Sequence, residues 1–225
     1  MSFYECLNAF PEGAASASRM ALTAKGLGYQ GIIICNKEPN KLFMPQAVDR
    51  IKGIEVVIGA EVAASGSKAL KSRILAMRAR YPFLIVRGGT EEIIRLASED
   101  PNVDLLMHPC NVRHPLAIAT ARAAKLNQVC IGFDLSPMLH LRGSSRARWL
   151  EAVRRNLQLV RKFDLCPVIT ASANSHFDLR SPRDLVAMAQ VAGFELDEAR
   201  EALRRPARLL ALNRRKWMGP GVELL

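Results

Sequence analysis

The chain lacks any run of 18 uncharged apolar residues, and its longest apolar stretches are strand-length, which excludes a membrane-spanning helix. Its first ten residues carry Glu5 and no basic cluster ahead of an apolar run. They do not read as a secretory signal, so a cytoplasmic protein is expected. No C-x-x-C pair occurs: Cys6, Cys35, Cys110, Cys130 and Cys166 are scattered singly. That odd set argues against a disulfide framework and a structural zinc site, and predicts small buried hydrophobes. Aromatics make up 6% of the residues and few lie near the arginines, so base stacking is expected to be secondary to phosphate contact. No repeat, low-complexity tract or long linker divides the 225 residues, and one domain over 1–225 is expected.

What the chain has in excess is positive charge: 32 basic against 21 acidic residues, a net +11. The surplus is uneven, net +4 over residues 1–141 and net +7 over 142–225. An anionic partner such as nucleic acid is favoured, and the C-terminal third is where to look for its surface. Arg142, Arg146, Arg148, Arg154, Arg155, Arg161 and Lys162 fall within 21 positions, offset by Glu151 alone. The bland alternative is a solvated helix face, with Glu198 and Glu201 pairing several of the arginines.

Short Ile- and Val-rich runs alternate with helical stretches. Strands are expected at Phe3–Leu7, Gly31–Cys35, Val56–Ala60, Phe83–Arg87, Val103–Met107, Val129–Phe133 and Pro167–Thr170, near-continuously apolar as strands buried on both faces are. Helices are expected around 15–27, 45–51, 67–79, 91–99, 115–127 and 146–163, then helices only through Arg214. Thr90 ahead of Glu91-Glu92 reads as an N-cap, as does Ser181-Pro182 ahead of Asp184, with Gly193 ending that helix. The pattern predicts an α/β fold: a TIM-like barrel of parallel strands with surrounding helices and extra C-terminal helices. A doubly wound open sheet is the alternative.

Parallel barrels place function at the C-terminal ends of their strands. Those ends supply Glu61, His108, Asp134 and, beyond the last strand, His176, which a metal-dependent hydrolase would recruit. The first strand, Tyr4-Glu5-Cys6-Leu7-Asn8, offers no H-x-H pair, and His108 and His114 are each followed by proline, so no catalytic group and no metal site are expected. Val86-Arg87-Gly88-Gly89-Thr90 reads as a tight strand-to-helix turn ahead of a phosphate cradle.

Five segments then carry a family resemblance. They are Gly28-Tyr29-Gln30-Gly31-Ile32; Val103-Asp104-Leu105-Leu106-Met107-His108-Pro109; Leu159-Val160-Arg161-Lys162-Phe163; Ser172-Ala173-Asn174-Ser175 with Leu179-Arg180-Ser181-Pro182; and Asn213-Arg214-Arg215-Lys216. In this order they resemble archaeal ribonuclease P protein component 3, related to a nuclear ribonuclease P subunit of eukaryotes. One departure is Ile131-Gly132-Phe133-Asp134, where the family's sixth strand is more acidic. The resemblance implies a barrel akin to the polymerase and histidinol phosphatase superfamily. It also implies a subunit of an RNA-based endonuclease that removes 5′ leaders from precursor tRNA. Implied partners are the ribonuclease P RNA, protein component 2 and other protein subunits, and precursor tRNA, with no membrane. No cofactor is expected on this chain; magnesium ions belong to the RNA. The RNA-binding residues expected on this basis are Arg87 and Arg113 at the barrel rim, Lys125, Lys162 and Arg180 beside matching segments, and Arg215 and Lys216 in the terminal basic run.

Overall fold

A computed structural model describes residues 2–43, 51–64, 66–108, 116–215, 217–219 and 222–223. Eight short parallel strands form the centre: β1 (Tyr4–Leu7), β2 (Gly31–Ile34), β3 (Glu55–Ile58), β4 (Ala60–Val62), β5 (Leu84–Arg87), β6 (Leu105–Met107), β7 (Cys130–Asp134) and β8 (Pro167–Thr170). β1, β2 and β3 pair in that order, as do β4 through β8. The expected strand Val56–Ala60 is in fact β3 and β4, broken at Gly59, where a Cβ would lie 2.8 Å from the Phe83 carbonyl oxygen. The break lets one chain segment serve two neighbours. Gly59 N–H donates to Ile34 O at 2.9 Å, and Ala60 N–H donates to Phe83 O at 2.9 Å. On the other side Leu7 bridges Ala173 in parallel, and Asn8 N–H donates to Ala173 O at 3.0 Å. First and last strands therefore meet, which settles the choice in favour of the closed barrel over the open sheet.

Both-face burial explains the unbroken apolar strands. Cys6, Ile33, Val57, Ile85, Leu105, Met107 and Val168 point into the barrel, while Leu7, Ile32, Ile34, Val86, Leu106, Ile131 and Ile169 point out beneath the helices. Gly132 leaves room inside for Met107, whose sulfur would sit 1.9 Å from a Cβ there. The outer layer comprises α1 (Ala17–Gly26), α2 (Ser67–Arg78), α3 (Glu91–Glu99), α4 (Ile118–Leu126), α5 (Ser136–His140), α6 (Gly143–Lys162), α7 (Pro182–Ala192) and α8 (Leu196–Asn213). The expected caps form. Thr90 accepts from Ile93 N–H, Ser181 and Asp184 make a reciprocal capping box, and Gly193 is left-handed at φ 110°. The five-residue α5, opened by Ser136-Pro137, is not anticipated by the periodicity, and the expected helix over 45–51 lies outside the described residues except for Ile51, which is not helical.

α8 runs across the N-terminal end of the barrel and plugs it. Leu209 and Leu210 join the interior cluster, Asn213 Nδ2 donates to Pro82 O and Asp104 Oδ1 at 2.8 Å each, and Arg214 reaches Glu55 at 2.5 Å. Beyond it, β9 (Trp217–Gly219) and β10 (Val222–Glu223) form a short antiparallel pair. One cysteine expectation is corrected: Cys130 and Cys166 form a disulfide. Parallel pairing of Ile131 with Pro167 sets the two preceding residues side by side, a register that a separation of 36 positions conceals. Cys6 and Cys35 are free and buried, as expected; Cys110 lies outside the described residues.

Candidate functional site

The C-terminal mouth of the barrel opens onto a cavity of about 990 Å³, lined among others by Asn8, Lys37, Glu61, Arg87, Asp134 and Asn174. Its acidic groups are engaged, save one oxygen of Glu61 that lacks a hydrogen-bond partner among the described residues. Arg87 at the end of β5 donates from Nε (3.0 Å) and Nη2 (2.9 Å) to Oε2 of Glu61 on neighbouring β4. Burial disfavours the Arg87 charge, yet the hydrogen bond and charge of Glu61 outweigh it and hold the guanidinium's pKa above its ordinary value. Lys37 Nζ stands 3.9 Å from the other Glu61 oxygen, and His108 Nε2 lies 3.2 Å from Asp134 Oδ2. His176 stacks on Phe177 with ring centres 4.0 Å apart, away from this set. Among the described residues no group of three or more His, Cys, Asp or Glu comes together that could hold a metal ion. Arg87 occupies one oxygen of the Glu61 carboxylate, and the other is buried without a hydrogen-bond partner among those residues. Gly88 belongs to a tight turn, since a Cβ there would lie 2.1 Å from His108 O.

The basic residues expected to meet RNA divide by position. Arg87 is at the rim as expected, but its charge is taken up by Glu61. Lys125, in the last turn of α4, donates to Asp164 O and Oδ2 at 2.7 and 2.6 Å. Lys162 ends α6, exposed, with its ammonium 5.8 Å from the Phe163 ring centre. Arg180, in the loop after β8, donates from Nη1 to Phe177 O and Leu179 O at 2.8 and 2.7 Å, and no carboxylate pairs with it among the described residues. Arg215 is exposed just past α8. Arg113 and Lys216 lie outside the described residues.

Much of the basic run is internally paired. Arg161 binds Glu198 at 2.6 Å, Arg155 binds Glu151 at 3.4 Å, and Glu201 takes both Arg204 and Arg208 at 3.0 and 2.6 Å. Arg142 and Arg148 are exposed and make no ion pair with the described residues. At the barrel's other end lies a groove that the sequence reading missed, bounded by Lys125, Arg205, Arg208 and Arg215 and walled by the end of α4, the starts of β7 and β8, and α8. Its walls are some 80 residues apart in the chain. The one local sign of it is the cationic end of α8.

Fold and mouth together define a class: a closed parallel α/β barrel of TIM type, with a salt-bridged mouth and a cationic outer layer. The chain belongs to the family described as ribonuclease P subunit p30, whose model matches residues 5–218. It is 39% identical over 222 residues to ribonuclease P protein component 3 of Methanosarcina acetivorans, covering 97% of this chain and 92% of that protein. Its structure matches a chain in the cryo-EM structure of archaeal ribonuclease P with mature tRNA at a TM-score of 0.83 and 23% identity, covering 99% and 97% of the two chains. It also resembles histidinol phosphate phosphatase from Lactococcus lactis, TM-score 0.54, 13% identity, covering 86% of this chain and 95% of that one. That second likeness is one of fold alone. No helix among the described residues is long and apolar enough to cross a membrane.

Proposed function

We propose that this chain is a protein subunit of ribonuclease P that supports a catalytic RNA in removing 5′ leaders from precursor tRNA. The family match over residues 5–218 carries the reading. The mouth agrees with it, because Arg87 pairs with Glu61 and balances its charge. The chemistry belongs to the RNA and its magnesium ions. The partners are that RNA, protein component 2 with other protein subunits, and precursor tRNA in the assembled particle, in the cytoplasm. RNA contact falls to cations that no carboxylate neutralises. Lys162 and Arg180 are the first of these, joined by the unpaired arginines of α6.

Reconstitution of precursor tRNA cleavage, omitting each component in turn, tests the proposal. Omitting this chain should lower cleavage, and the chain alone should leave precursor tRNA uncut. Robust cleavage by the chain without RNA would establish the rival, a metal-dependent hydrolase using Glu61, His108 and Asp134. Affinity for the RNA should fall steeply with salt, with a log–log slope of about −0.7 to −0.9 per phosphate contact. A flat response in filter binding between low and physiological salt would remove the electrostatic reading.

Arg180 is tied to backbone carbonyls, which anchor its loop without cancelling its charge. Arg180→Ala should therefore weaken RNA binding well beyond any loss of stability. A drop in Tm accompanied by only a proportional loss of affinity would mark it as a loop anchor alone.

A further inference from the structure

The loop between β8 and α7 turns an aromatic side chain outward at the mouth end of the barrel. Phe177 is 77% exposed, and its ring centre stands 4.0 Å from that of His176, with the planes tilted by 36°. The loop that presents it is closed by its own hydrogen bonds. Asp178 N–H donates to Ser175 O at 3.0 Å, Ser175 N–H donates back to Asp178 Oδ2 at 3.0 Å, and Phe177 N–H donates to Ser175 Oγ at 3.3 Å. Arg180 Nη1 donates to the Phe177 carbonyl at 2.8 Å, which sets a guanidinium at the backbone of the same residue. His140 Nε2 lies 3.4 Å from Asp178 Oδ1, so the end of α5 stands against this loop, with Arg142 two residues further on. Neither arginine pairs with a carboxylate among the described residues. A second ring, Phe10, is 56% exposed in the loop after β1, which Ala14 N–H ties to Asn174 O at 2.6 Å.

We infer that Phe177 stacks on an unpaired nucleotide of the catalytic RNA while Arg180 takes an adjoining phosphate, an inference that rests on the reading above. Ring and cations together fix the class of occupant. A phosphate alone has no use for the ring, and in a duplex the bases are already stacked on one another. An unpaired nucleotide uses both, since its base offers a π-face and its phosphate a charge. A ring that anchors a protein partner sits instead within a patch of contacts that together exclude water. Around Phe177 the loop is polar or charged from Asn174 to Arg180, save Leu179, which is buried. Phe10 places a second aromatic face on the same rim, since both loops follow the C-terminal ends of strands. The loop's own bonds already hold the ring outward, which lowers the ordering cost of binding. Sequence alone hides this arrangement, because a phenylalanine three residues from an arginine is as readily a core residue.

Filter binding of the full chain to ribonuclease P RNA across a salt series tests the two roles. Phe177→Ala should lower affinity about tenfold at every salt concentration with the log–log slope unchanged. Arg180→Ala should make that slope shallower by about 0.7–0.9. Phe177→Trp should keep the affinity, and its fluorescence should be quenched on binding beyond the change that Trp149 and Trp217 give in the wild type. In the reconstituted particle, a photoreactive azidophenylalanine at position 177 should join to an unpaired nucleotide of that RNA. Wild-type affinity for Phe177→Ala, or a slope that changes with it, would overturn the inference. So would a crosslink to paired nucleotides, to precursor tRNA, to a protein subunit, or to nothing in a particle that cleaves precursor tRNA. Cleavage assays separate the subunit reading from the stacking contact. If cleavage never depends on this chain, the subunit reading fails; if it does and Phe177→Ala binds RNA like the wild type, only the stacking contact fails.

Discussion

Asp104→Ala should destabilise the fold by about 3 kcal/mol, a loss at the low end of what breaking a buried ion pair costs. Asp104 sits just before β6, 6% exposed, and each of its oxygens serves other elements. Oδ2 accepts from Arg78 Nη2 at 2.6 Å and from Leu84 N–H at 2.7 Å; Oδ1 accepts from Asn213 Nδ2 at 2.8 Å. One carboxylate thus joins α2, β5 and the end of α8, the helix that plugs the barrel. Burial raises its pKa despite these partners, which is the signature of a charge retained at some desolvation cost. Alanine leaves a guanidinium, an amide and a backbone N–H facing an apolar void. Arg78 keeps carbonyl partners at Asn102 and Pro82, which is why the loss stays near 3 kcal/mol. Urea unfolding at pH 7 measures it directly, and a melting shift of roughly 6–12 °C accompanies it for a chain of this size. A loss below about 1 kcal/mol would show that α8 is held by its leucines alone.

The seven strand segments were legible because each is buried on both faces, and a run such as Gly31-Ile32-Ile33-Ile34 has no polar residue to confuse its assignment. Caps were legible for the opposite reason. Thr90 and Ser181 act on backbone groups three residues away, so the whole interaction lies within one short window. What stayed hidden depends on register or distant partners. Gly59 looks like the interior of one strand until Phe83 and Ile34 approach it from two sides. Arg161 and Arg148 are alike in sequence, yet one meets Glu198, 37 residues on, and the other meets no carboxylate among the described residues. Arg87 was correctly placed at the rim, but its neutralisation by Glu61 required knowing that β4 and β5 are neighbours.

Glu5 should make the stability of the fold fall as pH rises from 5 to 7.5, and Glu5→Gln should abolish that part of the fall. The side chain is buried at the seam where β1 meets the end of β8. Oε1 accepts from Thr170 Oγ1 at 2.5 Å and from Ala171 N–H at 2.8 Å, while Oε2 accepts from Tyr29 OH at 3.2 Å. Burial pushes the carboxyl up to about 7; the three donors pull it down without compensating, and the charge of Asp134 adds slightly to the rise. The sign follows from proton uptake. Below the ordinary value of 4.5 the group is protonated folded or unfolded and costs nothing. Between 4.5 and about 7 the folded chain holds a proton that the unfolded chain has released, so stability falls with pH; above about 7 the loss is complete. From pH 5 to 7.5 the contribution is about 2 kcal/mol. Glutamine keeps a carbonyl oxygen for Thr170 and Ala171, and its amide can donate to the Tyr29 oxygen once the Tyr29 proton, shared in the wild type between Glu5 and Arg180 O, turns wholly to Arg180 O at 2.8 Å. Other carboxylates titrate in both proteins alike, so the difference between the two unfolding curves isolates Glu5. Parallel pH profiles for wild type and Glu5→Gln would mean that the seam carboxyl stays ionised, held by its three donors.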